Sequence, residues 1–222
     1  MKLKTALFLV MNGFASLTSS MAQSNIIQIS NQQKKVAITY SSAESKLAAE
    51  ILYSYLEKSL PNTFEIKDKN ITKSDAQIIL EIQKNNKELK DQEFILKSNS
   101  QDISLLATNL KSLKYAVYTL LEKWEFRKFT ATVSYIPKPD AFIFPKNFYQ
   151  KYQPTFAYRT LLYPDSYDQA FREWHKLDWF NDDFGLWGHT FDRLVPPKTH
   201  FKTNPKLYAL YEGKRRAESL CM

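Results

Sequence analysis

Between residues 25 and 136 the sequence switches repeatedly between two periodicities, and that alternation constrains the fold more than any other feature. Short apolar or alternating runs, as strands carry, occur at "NIIQIS" (25–30), "KVAITY" (35–40), "TFEIKD" (63–68), "AQIILEIQ" (76–83), "QEFILKS" (92–98) and "DISLLAT" (102–108). Two stretches repeat instead at three and four residues. In the first, Ala43, Leu47, Ile51 and Tyr55 run beside Ala48, Leu52 and Leu56, after the capping-box pattern Ser41-x-x-Glu44 and before Pro61. In the second, over about 109–124, Leu113, Val117, Leu120, Leu121 and Trp124 face inward. "RKFTATVSYI" (127–136) alternates again, with Phe129, Ala131, Val133 and Tyr135 on one face. The order β, β, α, several β, α, β predicts a small α/β sandwich: a mixed sheet with both helices on one face, and 92–98 as the hairpin partner of 76–83.

The composition changes at 137–154. Pro137, Pro139, Pro145 and Pro154 fall within this stretch, and proline lacks a donor and fixes φ, so an extended linker is expected. Beyond it, "TFAYRTLLY" (155–163) reads as a strand, "SYDQAFREWHKLDWF" (166–180) as a helix and "GLWGHTF" (185–191) as a second strand. "NPKLYALYEGKRRAESL" (204–220) reads as a helix broken at Gly213. Strand, helix, strand at this spacing is a βαβ unit with parallel strands. Eight such units close a barrel of about 250 residues. Residues 155–222 are therefore expected to be the first two βα units of an incomplete TIM-type barrel.

The leader "MKLKTALFLVMNGFASLTSSMAQS" begins with Lys2 and Lys4, continues with a short apolar run and offers Ser20-Met21-Ala22 before a cut. It predicts a signal peptide over 1–22 and a periplasmic or extracellular mature protein. No later segment is apolar enough to span a bilayer, which needs about 20 residues. The sole cysteine, Cys221, excludes an internal disulfide. The formal charge of +8 is scattered among acids rather than gathered on one stripe, so nucleic acid is not an expected partner.

Glycine is scarce, with four in the chain, yet Gly185 and Gly188 flank Trp187 in "FGLWGHTFDRLVPP" (184–197). In a strand Trp187, His189 and Phe191 share one face, and the glycines permit close approach of a backbone or a ligand. Trp187 would stack on a sugar ring while His189 bonds a hydroxyl, or else Trp187 and Phe191 fill the interior with His189 satisfied among them. Asp182 and Asp183 are neighbours pointing apart in a loop, a poor arrangement for paired-carboxylate cleavage. His175, His189 and His200 have no close metal-ligand spacing, and no phosphate loop or nucleophile elbow is present, so neither metal nor cofactor is expected.

Five segments carry a resemblance: "FAYR" (156–159), Trp174 with "GLWGHTF", "LVPP" (194–197), "HFKTNPKLYAL" (200–210) and "GKRRAESLC" (213–221). They resemble the start of the barrel in the glycoside-hydrolase-like domain-of-unknown-function 4838 family of Bacteroidetes. Residues 25–136, with "YAVYTLLE" at 115–122, are similar to the small α/β domain preceding the barrel in family 20 hexosaminidases and family 67 α-glucuronidases. The second helix lacks the glycines that often flank it in those enzymes. The resemblance implies that Arg159 binds sugar hydroxyls. By residue type alone it is equally suited to an ion pair with Asp165 or Asp178. The resemblance also implies that the catalytic carboxylates come from later barrel strands, so no catalytic residue is assigned. The expectation is the N-terminal portion of a secreted glycoside-hydrolase-like protein of glycan breakdown, inactive by itself, with Arg159, Trp187 and His189 binding substrate. Its partners would be a carbohydrate ligand and either self-association or the missing part of the barrel. The alternative is a non-catalytic carbohydrate-binding or cell-surface interaction protein.

Overall fold

The computed structural model describes residues 25–32, 35–69, 77–179 and 191–217. The chain divides into two compact units between Leu177 and Asp178. The leader lies outside the described residues.

The first unit is built on strands β1 (Ile26–Ser30), β2 (Val36–Tyr40), β3 (Phe64–Asp68), β4 (Gln77–Ile82), β5 (Phe94–Ser98) and β6 (Ile103–Ala107), with helices α1 (Ala43–Ser59) and α2 (Leu110–Lys123). Short strands β7 (Arg127–Lys128) and β8 (Ser134–Tyr135) follow, then β9 (Ala141–Pro145) and β10 (Tyr149–Tyr152), and a small helix α3 (Gln169–Trp174). Six strands form one mixed sheet in the order β10-β5-β6-β4-β2-β3. The β3-β2-β4-β6 pairings are parallel, and β5 pairs antiparallel with β6 and β10.

Register explains the core. Ile66, Ile38, Ile78, Ile103 and Ser98 lie in one row across the sheet, and Leu80, Leu105 and Leu96 in the next. The apolar members of these rows join α1 and α2 in one buried cluster. Both helices pack against this sheet and against each other, which gives the mixed α/β architecture implied by the element order. Ile95 and Leu106 point to the opposite face, where Leu89 covers them.

Four local expectations need correcting. The α1 cap sits one residue later than expected: Ser42 Oγ accepts from the Ser45 amide at 3.1 Å, and Ser45 Oγ accepts from the Ser42 amide at 2.9 Å. Its buried stripe is narrower as well, since Leu47 is exposed. β5 is not the hairpin partner of β4, because the long connection between them lets β4 lie between β2 and β6, where its Ile78 and Leu80 complete the apolar rows. Residues 127–136 are not one strand. The chain folds back so that β7 pairs with β8, leaving Phe129 and Val133 in solvent.

The proline-rich stretch 137–154 is not a free linker. β9 pairs antiparallel with β1, placing Phe142 and Phe144 in the core beside Ile27 and Ile29. Trp124 Nε1 donates to the Ile143 carbonyl at 3.0 Å and its ring lies 4.7 Å from Phe142. β10 is an edge strand of the large sheet. Proline is compatible with both places, since strand ends and edges need fewer backbone donors. Residues 155–163, expected as a barrel strand, are not in a strand. They run between Pro154 and Pro164 into a 3-10 turn at Pro164–Tyr167, and the helix expected from 166 shortens to α3. Of the second expected strand, 185–191, residues 185–190 lie outside the described residues, and Phe191 begins a helix instead.

Scarce glycine shapes the helix ends. After α2, Phe126 N–H donates to the Leu121 carbonyl and Glu125 N–H to the Glu122 carbonyl, with Glu125 at φ 67°. After α3, Leu177 N–H donates to the Arg172 carbonyl and Lys176 N–H to the Glu173 carbonyl, with Lys176 at φ 59°. Both are Schellman closures whose left-handed residue is ordinarily glycine. Here a glutamate and a lysine occupy it.

The second unit holds α4 (Phe191–Leu194), α5 (Pro197–His200), a 3-10 turn at Pro205–Leu207, and the two-residue strands β11 (Leu210–Tyr211) and β12 (Lys214–Arg215). The helix expected over 204–220 is instead this hairpin. Glu212 at φ 50° and Gly213 at φ 74° form the two-residue left-handed turn that suits a tight hairpin. Tyr208 is buried, its hydroxyl donating to the Val195 carbonyl at 2.9 Å and its ring 5.2 Å from Phe201.

Candidate functional site

A cavity of about 260 Å³ opens in the first unit at the β10 edge. Its aromatic wall is Phe94, Tyr115 and Tyr152. β10 and β5 place Tyr152 directly across from Phe94, and the two rings stack at 4.7 Å with planes 12° apart. The Tyr152 hydroxyl donates to Gln150 Oε1 at 2.9 Å, which fixes the outer end of the ring. Tyr115 comes from the first turns of α2, and the Arg159 guanidinium lies 5.8 Å from its ring centre.

Arg159 organises the other side. Its Nε donates to the Lys176 carbonyl at 2.9 Å, Nη1 to the Phe156 carbonyl at 2.6 Å and Nη2 to Gln92 Oε1 at 2.7 Å. Gln92 returns a bond from Nε2 to the Ala157 carbonyl at 2.7 Å. One guanidinium and one amide thus hold segment 156–159 against the β4–β5 connection and against the end of α3. Gln92 is itself left-handed at φ 63°. A non-glycine residue in that region costs on the order of 1 kcal/mol and persists where its surroundings hold it. Of the two expected partners of Arg159, Asp165 accepts from the Ala131 amide at 2.6 Å, and Asp178 begins the second unit.

Beneath the cavity a second polar group closes around α3. Glu173 Oε1 accepts from Lys114 Nζ at 2.8 Å and Gln169 Nε2 at 2.9 Å, and Oε2 accepts from the Tyr118 hydroxyl at 3.4 Å. Burial pulls the Glu173 carboxyl upward, but these donors, Lys114 first, more than offset it and hold it below the usual carboxylate range. Burial, then the Glu173 charge, raises the Tyr118 phenol above its ordinary range. The Trp174 ring lies 5.4 Å from Tyr55 and 5.2 Å from Tyr118. These contacts anchor α3 to both large helices. His175 Nε2 donates to the Lys128 carbonyl at 2.9 Å, and Lys176 Nζ pairs with Glu122 at 3.1 Å.

Of the sequence-predicted site residues, Arg159 lines this cavity. Trp187 and His189 lie outside the described residues, as do Asp182 and Asp183. Sequence reasoning missed Gln92, Tyr115 and Tyr152. Tyr152 was hidden among prolines, and the three-residue spacing of Tyr149 and Tyr152 puts their rings on opposite faces of a strand, so no alternation marks it. Gln92 carries no local signal, because its role depends on residues near 157–159. Among the described residues no lining side chain is a carboxylate. Among the described residues no three His, Cys, Asp or Glu side chains gather as a metal site would need. No described helix is long and apolar enough to cross a membrane.

Residues 128–222 match the family described as "Domain of unknown function (DUF4838)". That match begins at β7 and so takes in β9, β10, the Arg159 segment and the whole second unit. No curated protein matches the chain. Among solved structures, an inactive mutant of the GH20 exo-β-N-acetylglucosaminidase from Vibrio harveyi is 18% identical, over 61% of this chain and 18% of its own, with a TM-score of 0.41. A family GH115 4-O-methyl-α-glucuronidase with specificity for decorated arabinogalactans is 18% identical over 61% of this chain and 19% of its own, with a TM-score of 0.44. A mutant Streptomyces plicatus β-hexosaminidase in complex with its product GlcNAc is 14% identical over 61% of this chain and 24% of its own, with a TM-score of 0.44. The chain therefore spans no more than about a quarter of the length of these three structures.

Proposed function

We propose that this is a secreted glycoside-hydrolase-like protein of glycan breakdown, in which the described residues bind sugar and do not cleave it. The observation that carries the reading is the cavity lining: three aromatic rings, amides and nitrogen-bearing side chains, with no carboxylate among the described residues. Glycoside hydrolysis uses a pair of carboxyl groups about 5–9.5 Å apart across the scissile bond. Rings and amides serve recognition instead. The DUF4838 match over 128–222 supports the hydrolase-like part of the reading. The leader supports export.

The test uses the whole chain expressed with its leader. N-terminal sequencing of the exported protein is expected to begin at Gln23. The purified protein is expected to be retarded by a soluble glycan in affinity electrophoresis while releasing no phenol from aryl glycosides. Turnover abolished by Asp182→Asn or Asp183→Asn would overturn the non-catalytic assignment, and a cytoplasmic product with an intact leader would overturn export.

A second reading, a surface for protein contact, is favoured by one segment. Phe156, Leu161, Leu162, Tyr163 and Tyr167 are all more than half exposed or at the half mark within a dozen residues. Such apolar runs are the kind that associate. Sedimentation of the whole chain across a concentration series tests it: a concentration-dependent shift supports self-association, and an unchanging monomer removes it.

A further inference from the structure

We propose that the cavity at the β10 edge is a binding subsite for one pyranose ring. The inference rests on the glycan reading above and gives it a location.

Size comes first. Ligand cavities run upward from roughly 300 Å³. At about 260 Å³ this one takes a single ring and no more. Chemistry comes second. A pyranose offers a flat face of C–H groups and a rim of hydroxyls. The face suits an aromatic wall, here Tyr152 with Phe94 stacked behind it and Tyr115 alongside. The rim needs donors and acceptors that are not already taken. Gln153 is exposed and makes no hydrogen bond to the described residues. Lys176 Nζ uses one donor on Glu122 and has two more. His175 spends Nε2 on the Lys128 carbonyl, and Nδ1 is the second ring nitrogen at the lining.

The walls are fixed before any ligand arrives. Tyr152 is held by Phe94 and Gln150, Tyr115 lies under the Arg159 guanidinium, and Gln92 is bonded at both ends of its amide. Gln92 and Lys176 both take left-handed backbone and both line the cavity. Backbone strain held in place by a bonding network is a mark of preorganised sites.

Saturation-transfer NMR on the whole chain, with methyl glucoside, methyl galactoside, methyl N-acetylglucosaminide and glucuronic acid as probes, tests the proposal. At least one of these pyranosides is expected to bind, with its ring C–H protons saturated most strongly. Tyr152→Leu and Gln153→Ala are each expected to lower that affinity at least fivefold, with circular dichroism unchanged. If Tyr152→Leu loses the native spectrum, Gln153→Ala, at an exposed position, decides the question. Sugar binding that both variants leave intact would overturn the subsite while sparing the glycan reading. A chain that binds none of these probes overturns the subsite. If it also fails to be retarded by glycan, the glycan reading falls with it.

Discussion

The Arg159 Nε donates to the Lys176 carbonyl at 2.9 Å and so joins the turn after Pro154 to the end of α3. Its other bonds reach Phe156 and Gln92, so one side chain links three segments far apart in sequence. Bonds from a charged donor contribute about 1.5–3 kcal/mol each where the partner would otherwise be stranded, and less where water can replace them. Arg159 is half-buried, so Arg159→Ala is expected to cost about 2 kcal/mol in urea unfolding. Arg159→Lys is expected to recover little, because an ammonium cannot reach three fixed acceptors as a planar fork does. A loss under 0.5 kcal/mol for Arg159→Ala would contradict a structural role.

Glu125 supplies a second test. It closes α2 at φ 67° with an exposed side chain. Left-handed backbone costs an L-residue roughly 1–2 kcal/mol, and glycine escapes that cost while losing more chain entropy on folding. The balance favours glycine here. Glu125→Gly is expected to stabilise the protein by about 0.5 kcal/mol, read as a shift in the urea midpoint at unchanged slope. Glu125→Ala, which keeps the Cβ, is expected to give no such gain.

The Glu173 group makes stability depend on acidity. Its folded carboxyl titrates below the ordinary carboxylate range, whereas the unfolded carboxyl titrates within it. The contribution is therefore complete above about pH 4.5 and is lost as pH falls through the lower, folded value. Glu93, buried and paired with Lys151 at 2.8 Å, is also held low and acts in the same direction. Glu173→Gln is expected to cost about 1 kcal/mol at pH 7 and to flatten the acid limb of a stability–pH curve. In alkali the sign reverses. Tyr118 and Tyr55 are raised, so their contribution is complete below about pH 10 and is lost as pH rises through their folded values. Their phenolate absorbance is expected to develop only with unfolding. Phenolate appearing for every tyrosine before any loss of far-ultraviolet signal would contradict this.

The sheet rows were legible because strand periodicity is local: Ile78 and Leu80 alternate whatever their neighbours are. Strand order was not, since nothing in "AQIILEIQ" says that β2 and β6 flank it. β9 and β10 were obscured by prolines, which argue against central strands but permit edges and strand ends. Glu125 and Lys176 gave no sign of left-handed backbone, because the usual signal is a glycine and neither position has one. Arg159 was legible as a site residue by resemblance. What it holds depends on Gln92 and Lys176, contacts that no local pattern encodes.

The place of β9 decides where the first unit can be cut. Sequence periodicity alone would end it at 136. In the structure Phe142 and Phe144 are 3% and 2% exposed, and they pack on Ile27, Ile29, Phe64, Trp124 and Phe126. Burying a phenylalanine stabilises by roughly 1.5–3 kcal/mol, and removing one from a packed core costs about 3–5 kcal/mol once the cavity is counted. Loss of both rings, of the β1 partner strand and of the β10 edge thus approaches the whole stability of a domain, about 5–15 kcal/mol. β1 would also be left with an unpaired edge along its length. A segment of residues 25–136 is expected to be unfolded or aggregated by circular dichroism and light scattering. A segment of residues 25–177, which keeps β9, β10, Arg159 and α3, is expected to melt in a single cooperative transition. A cooperative melt from the shorter segment, within a few degrees of the longer one, would mean that β9 and β10 decorate the sandwich without completing it.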